Sequence, residues 1–304
     1  MALTPFPGTP GHWSVDERCM NCDAARQFAP GLIEERAGRS AVVRPPKGEA
    51  EERSLLAAAH ACPTRSIRPA AGALTPENDP FPLALSHDGG EADGDVLLLG
   101  HNSRQTAGAS AYLCRRPDGW LMIDTPRYSE RLAARYEALG PVTDVLLTHR
   151  DHAAHGREYA DRLGARLTVH EGDLDAAPDA DRVLRGTDPV DLAPGVVAHP
   201  FPGHTRGSVL YVLDERHCFS GDSLYWSRTT GDVEVHESIT WYSIEEQAAS
   251  LARSLGRLRF EWLLPGHGDR RWMPAEEVQR RLHALALRCR ALRPAPVDFT
   301  AVRW

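Results

Sequence analysis

The stretch Thr148-His149-Arg150-Asp151-His152 decides how this chain is read. The residues before it, Asp144-Val145-Leu146-Leu147, form a short apolar run that reads as a buried strand. The residues after it, from Ala153 to Leu163, read as a helix. Two imidazoles and a carboxylate therefore sit where a strand stops and a helix begins, the kind of loop on which a scaffold holds reactive groups. Histidine and aspartate are ligands for zinc and for non-haem iron.

Three later strand ends repeat the theme. Gly203-His204-Thr205 follows an apolar run at 195–199, Gly221-Asp222-Ser223 follows one at 216–220, and Gly266-His267-Gly268 follows one at 260–264. Each places a ligand-type side chain beside a glycine, which lets the backbone turn sharply and aim its neighbour inward. Four strand ends that all offer His or Asp point to one metal centre. Asp124 and Thr148 are expected to support the ligand loops.

The order Thr-His-x-Asp-His, Gly-His-Thr, Gly-Asp, Gly-His-Gly resembles the metallo-β-lactamase superfamily, as does Ile123-Asp124-Thr125-Pro126 at an earlier strand end. The resemblance covers about residues 95–292. It implies a layered α+β fold, an αββα sandwich of two sheets, with a metal site along one sheet edge. The family motif is His-x-His-x-Asp-His; aligned on Asp151-His152, its second His is His149 and its first falls on Leu147. The resemblance then implies one metal site with His149, His204 and the bridging Asp222 that is short of a ligand. It implies another, complete site with Asp151, His152, His267 and Asp222. His155 and His170 are candidate substitutes for the missing ligand. One or two divalent ions are expected, zinc first and iron as the alternative.

Two further features bear on the site. Tyr225, Trp226, Arg228, Trp241 and Tyr242 fall in the segment that lies beside the metals in this fold, and are candidates for a substrate pocket. Near the start of the chain, Cys19-x-x-Cys22 and a distant Cys62-Pro63 resemble a single-cluster bacterial ferredoxin. The third cysteine of that motif would fall on Ala25. The favoured reading is a ferredoxin-like module that has lost its iron–sulfur cluster and survives as a packing domain. A three-iron cluster, or a four-iron cluster with a foreign ligand, is the alternative.

These readings divide the chain into a ferredoxin-like module (1–70), a Pro- and Gly-broken linker or wrapping segment (71–94) and a catalytic domain (95–304). Helices are expected over 49–61, 129–139, 154–163, 243–255 and 274–292. Of the 304 residues 42% are hydrophobic and 25% charged, as in ordinary globular proteins. The net charge of −7, with no dense basic run, argues against a nucleic-acid or anionic-membrane partner. No apolar stretch is long enough to span a bilayer, and Met1 to Pro10 lacks a signal-peptide core. A cytoplasmic location is expected, with cysteines kept as thiols or ligands; Cys114 and Cys218 read as core residues.

The expected function is metal-dependent hydrolysis of an ester, thioester or lactam-like bond in a small molecule. Asp151 either orients the attacking hydroxide or ligates the metal. The alternatives are a non-haem iron oxidoreductase that uses the His149–His204–Asp222 set, with a redox partner, and a catalytically silent binding protein.

Overall fold

The computed structural model describes residues 12–87 and 92–298. Met1 to Pro10, read above for a signal sequence, lies outside them. Among the described residues no helix is long and apolar enough to cross a membrane.

Residues 83–272 build two sheets. The first has seven strands in the order Arg182–Leu184, Arg166–His170, Val142–Leu146, Gly119–Ile123, Tyr112–Arg116, Asp93–Leu98 and Leu83–Leu85. The second has six, in the order Val190–Ala193, Val196–Pro200, Val209–Leu213, His217–Gly221, Trp262–Pro265 and Arg271–Trp272. Side chains alternate across each strand, so one strand feeds two cores. Tyr112 and Cys114 point into the core between the sheets, whereas Leu113 joins the outer core. In the second sheet Val209, Tyr211 and Leu213 face inward, and Leu210 and Val212 face outward. Strands buried on both faces are continuously apolar, which is why the runs stand out in the sequence.

The outer face of the first sheet is covered by helices Glu130–Glu137 and Gly156–Leu163, and that of the second by Ile244–Ser254 and Ala275–Cys289. Helix, sheet, sheet and helix form four layers, as expected. Ser129 and Ser243 cap two of these helices by accepting the backbone N–H of Leu132 and Glu246.

The first module has its own core, with Trp13, Leu32, Ile33, Leu55, Ala58 and Ile67 buried together. The helix Glu49–Ala61 lies across it, and a hairpin pairs Ile33–Arg36 with Arg39–Val42. Segment 71–94 does more than connect. Leu83–Leu85 pairs antiparallel with Asp93–Leu98 and closes one edge of the seven-stranded sheet.

Candidate metal centre

The ligand-type residues all lie at the C-terminal ends of strands. Hydrogen bonds tie these ends together, two of them across the two sheets and one within the second sheet. The Val209 N–H donates to the Thr148 carbonyl (2.8 Å), the Tyr211 hydroxyl to the Leu147 carbonyl (2.9 Å), and the Gly266 N–H to the Gly221 carbonyl (2.8 Å). Gly221 adopts φ +51, and a Cβ there would lie 2.6 Å from Thr148 Oγ1. A Cβ on Gly266 would lie 2.4 Å from His152 Cε1 and 2.8 Å from Asp222 Oδ1. Both positions need glycine so that the loops can close on the imidazoles.

The side chains converge in two groups that share Asp222: His149, His204 and Asp222, and His152, His267 and Asp222. All are buried. His149 Nε2 is 3.7 Å and His204 Nε2 3.8 Å from Asp222 Oδ2; His152 Nε2 is 3.7 Å from Oδ1; His267 Nε2 is 3.9 Å from Oδ2. Buried polar atoms normally find hydrogen-bond partners. Here Nε2 of His149, His152 and His204 and Oδ1 of Asp222 have none. Imidazole lone pairs gathered around a carboxylate, each left without a donor, fit divalent metal ions.

Electrostatics agree. Burial alone would raise the Asp222 carboxyl, but His267, His152, His149 and His204 hold it well below the usual carboxylate range. Burial and the neighbouring His152 push His149 well down, which keeps that imidazole neutral and able to bind a cation. Burial would also lower His152, but Asp124 and Asp222 outweigh it and raise the group to about 9.

Asp124 organises the His152 side. Its Oδ1 accepts the Thr148 N–H (2.8 Å), and its Oδ2 accepts the Thr148 hydroxyl (2.7 Å) and His152 Nδ1–H (2.8 Å). It does so from φ +53, a left-handed conformation that aspartate tolerates better than most residues.

Asp151 lies on an unexpected side. It was grouped with His152 and His267, yet its Oδ2 stands 3.8 Å from His149 Nε2 and 3.5 Å from His204 Nε2. Trp241 Nε1–H donates to the same oxygen (3.2 Å). Burial would raise the Asp151 carboxyl, but the adjacent His204 and the charge of His149 lower it to about 2.

Leu147 turns away from the centre into the core beneath the helices, against Gly156 and Leu167. Neither candidate substitute reaches the gap. His155 bonds Ser103 Oγ through Nε2 (2.9 Å) and Glu158 through Nδ1 (2.8 Å). His170 bonds the Gly186 carbonyl through Nε2 (2.8 Å) and accepts the Gly172 N–H at Nδ1 (3.1 Å). With both nitrogens of each ring engaged, neither is placed as a ligand.

The five pocket candidates separate. Trp241 and Tyr242 are exposed at the rim, 40% and 44% accessible, and Arg150 lies over the Trp241 ring. Trp226 is buried in the core beneath Arg271 and Arg281, and Tyr225 stacks on His236 with ring centroids 3.6 Å apart. Arg228 is paired with Asp23 and Asp269. Among the described contacts, these three side chains pair with protein groups, whereas Trp241 and Tyr242 stand at the rim.

Three residues beside the centre escaped the sequence reading. Asp173 accepts Arg150 N–H (2.9 Å), the Thr205 hydroxyl (2.6 Å) and Gly207 N–H (3.0 Å), and so ties the His149 loop to the His204 loop. Gln247 accepts the His204 N–H (2.8 Å) and donates to the Ser223 carbonyl (2.7 Å), which ties the His204 loop to the Asp222 loop. Its signal was a glutamine on the apolar stripe of Ile244 and Leu251. His236 is buried, and burial lowers it to about 3.

Cys19, Cys22 and Cys62 line one small cavity, with Ala25 also in its wall. Burial pushes the Cys22 thiol up to about 12. Burial would raise Cys62 as well, but hydrogen bonds from Ser66 and Thr64 bring it below its ordinary value.

The comparisons agree with the geometry. The sequence profile of the Metallo-beta-lactamase superfamily matches residues 104–267, and that of the 4Fe-4S single cluster domain of Ferredoxin I matches residues 15–69. A hydroxyacylglutathione hydrolase of Methylobacterium sp. (strain 4-46) is 36% identical over 129 residues, 40% of this chain and 49% of the relative. One from Acidiphilium cryptum is 30% identical over 153 residues, 47% of this chain and 57% of the relative. The chain spans about half the length of the relatives it matches. Among solved structures, DIM-1 metallo-beta-lactamase covers 65% of this chain and 95% of its own, at 18% identity and TM-score 0.51. A metallo-beta-lactamase from Pontibacter korlensis covers 67% and 98%, at 16% identity and TM-score 0.50. These structures share the fold. With its profile matched over more than half the chain, this protein belongs to the metallo-beta-lactamase superfamily.

Proposed function

We propose that the protein is a metal-dependent hydrolase of small-molecule esters or thioesters, with zinc as the metal and a thioester as the favoured substrate. The observation that carries this is the pair of His/Asp groups joined at Asp222, in which Nε2 of His149, His152 and His204 has no hydrogen-bond partner. The thioester preference rests on relatives named hydroxyacylglutathione hydrolase. His149, His152, His204, His267 and Asp222 would hold the ions. A bound zinc supplies a water acidified from about 15.7 to about 7, and positive charge opposite a developing oxyanion.

The chain's own residues do the rest. Asp124 keeps a proton on His152 Nδ1, so the proton that a bound cation would displace is the one on Nε2. Asp151 stays ionised at neutral pH and stands at the mouth of the site, half-exposed. Trp241 and Tyr242 offer apolar surface at the rim for an acyl or thiol group.

The iron oxygenase reading requires open positions beside His149, His204 and Asp222. Asp151 stands 3.5 Å from His204 on that side, which weighs against it. The test is a panel of acyl thioesters and esters given to the zinc-loaded protein. Turnover that falls at least about 100-fold in Asp222→Ala, which removes the ligand shared by both groups, is expected, since catalysis by a metal-activated water needs the metal held. Turnover indifferent to that change, or none across the panel with zinc bound, would overturn the reading.

A further inference from the structure

We propose that Asp151 has changed sides: it completes a four-ligand site with His149, His204 and Asp222, and leaves His152, His267 and Asp222 as a three-ligand, open site. The inference rests on the metal-binding half of the proposed function and not on hydrolysis.

The warrant is the set of distances between ligand atoms. Four ligands held tetrahedrally at about 2.0–2.2 Å from zinc are separated from one another by about 3.3–3.6 Å. Four of the six edges of such a figure are present: His149 Nε2 to Asp222 Oδ2 at 3.7 Å, His149 Nε2 to Asp151 Oδ2 at 3.8 Å, His204 Nε2 to Asp222 Oδ2 at 3.8 Å, and His204 Nε2 to Asp151 Oδ2 at 3.5 Å. One lies within this range and the other three exceed it by a few tenths of an ångström or less. Each of the two carboxylate oxygens thus stands within about 3.5–3.8 Å of both imidazole nitrogens.

The reason lies in the sequence. The side chain at Leu147 belongs to the core under the helices, so this side is short of one imidazole. Asp151 occupies the opening of a 3-10 turn, Arg150–His155, whose N-cap is His149. That tight turn brings the carboxylate back over the imidazole two residues earlier. Trp241 Nε1–H then holds Asp151 Oδ2 from across the mouth, and Arg150 lies over the Trp241 ring. Asp151 Oδ2 keeps a second lone pair for a cation while it accepts the indole N–H.

The consequence is a division of labour. A tetrahedral site with two nitrogens and two oxygens is closed, as structural zinc sites are, whereas three protein ligands leave a position for water. Reactive water would then belong on the His152–His267 side, the side whose imidazole Asp124 orients.

The test is cobalt content and visible absorption in the full-length chain, with folding checked by thermal unfolding. His267→Ala removes the open site and should retain one cobalt per chain with a tetrahedral spectrum. Adding Asp151→Asn, a half-exposed substitution compatible with folding, should remove that cobalt or replace its spectrum with a weaker, higher-coordinate one. A His267→Ala protein that holds no cobalt overturns the proposal. So does a double variant whose cobalt content and spectrum match those of His267→Ala, since Asp151 would then belong with His152 and His267. Thioester turnover enters none of these readouts, so the hydrolase reading and this one can fail separately.

Discussion

Asp124→Asn changes one atom and should weaken metal binding through a proton that never touches the metal. The Asp124 carboxylate accepts three hydrogen bonds, from the Thr148 N–H, the Thr148 hydroxyl and His152 Nδ1–H. In the asparagine variant the amide oxygen keeps the Thr148 N–H, and the amide NH2 faces the hydroxyl and the imidazole. The hydroxyl adapts by rotating to accept. The imidazole adapts only by becoming an acceptor at Nδ1, which moves its proton to Nε2, the atom 3.7 Å from Asp222. To bind a cation through Nε2 it must return the proton to Nδ1 and face two N–H donors with each other. Losing one buried hydrogen bond and leaving a donor unsatisfied costs about 2 kcal/mol, or about 30-fold. That lies within the range of about 10–100-fold measured for partners of ligating histidines. The assay is zinc affinity by competition with a chromophoric chelator, in a His149→Ala background that isolates the His152–His267 side. The urea midpoint should change little, because the side chain keeps its volume and most of its bonds. An affinity within about threefold of the parent at an unchanged midpoint would refute the tautomer argument.

Other outcomes follow from the same contacts. Gly266→Ala would bring a methyl to 2.4 Å from His152 Cε1 and should cost one metal per chain by elemental analysis; full metal content would mean that the loop yields. Asp79→Asn should destabilise the fold by about 3 kcal/mol in urea, because it leaves Arg135 and a buried histidine seam without their anion. Burial would raise the Asp79 carboxyl, but the hydrogen bond and charge of His101, the Phe81 N–H and His60 hold it far below its ordinary value. A lowered folded pKa gives stability that is present above the unfolded value of about 3.9 and lost as pH falls through the folded one. The difference between parent and variant should therefore be constant at neutral pH and shrink in acid; a difference that grew on acidification would contradict it.

What the sequence revealed and what it hid have a common cause. Strands buried on both faces are continuous apolar runs, and their ends carry glycine beside a ligand, so Val142–Leu146, Val196–Pro200, His217–Gly221 and Trp262–Pro265 could be found together with their loops. Short elements whose partners are remote could not. Leu83–Leu85 lies in a Pro-rich segment and is a strand only because Asp93–Leu98 lies beside it. Trp226 and Trp241 look alike in sequence, yet one packs in a core and the other stands at the rim. Asp173 sits in an acidic run where nothing distinguishes it from solvated neighbours; its role depends on Thr205 and Gly207 being brought to it. The motif identified Asp151 as a ligand-type residue. Which imidazoles it faces depends on the pitch of a single 3-10 turn, and in this geometry its Oδ2 faces His149 and His204, a placement that the motif alone does not carry.

The ferredoxin-like module bears on the centre by contact, whatever its cysteines hold. Asp23, at φ +68, presents its carboxylate to Arg228 (2.7 Å), which also grips Asp269, two residues beyond His267. Gln27 accepts Arg270 (2.9 Å), and the same guanidinium lies over Phe28. On the other side of that loop, the Ser110 N–H donates to the Gly266 carbonyl (2.8 Å), and Gly108 packs so closely on the module that a Cβ would lie 2.7 Å from Cys22 Sγ. The loop carrying His267 is thus held from the module directly and through residues 108–110. Phe28 packs against the core between the two sheets, and Ala57 and Ala61 belong to it. A module stabilised by its own apolar core and used as one wall of the metal edge is under structural constraint whether or not its cysteines hold a cluster. The same contacts make its unfolding inseparable from loss of the His267 loop, so metal release and unfolding of the first module should coincide in a single transition.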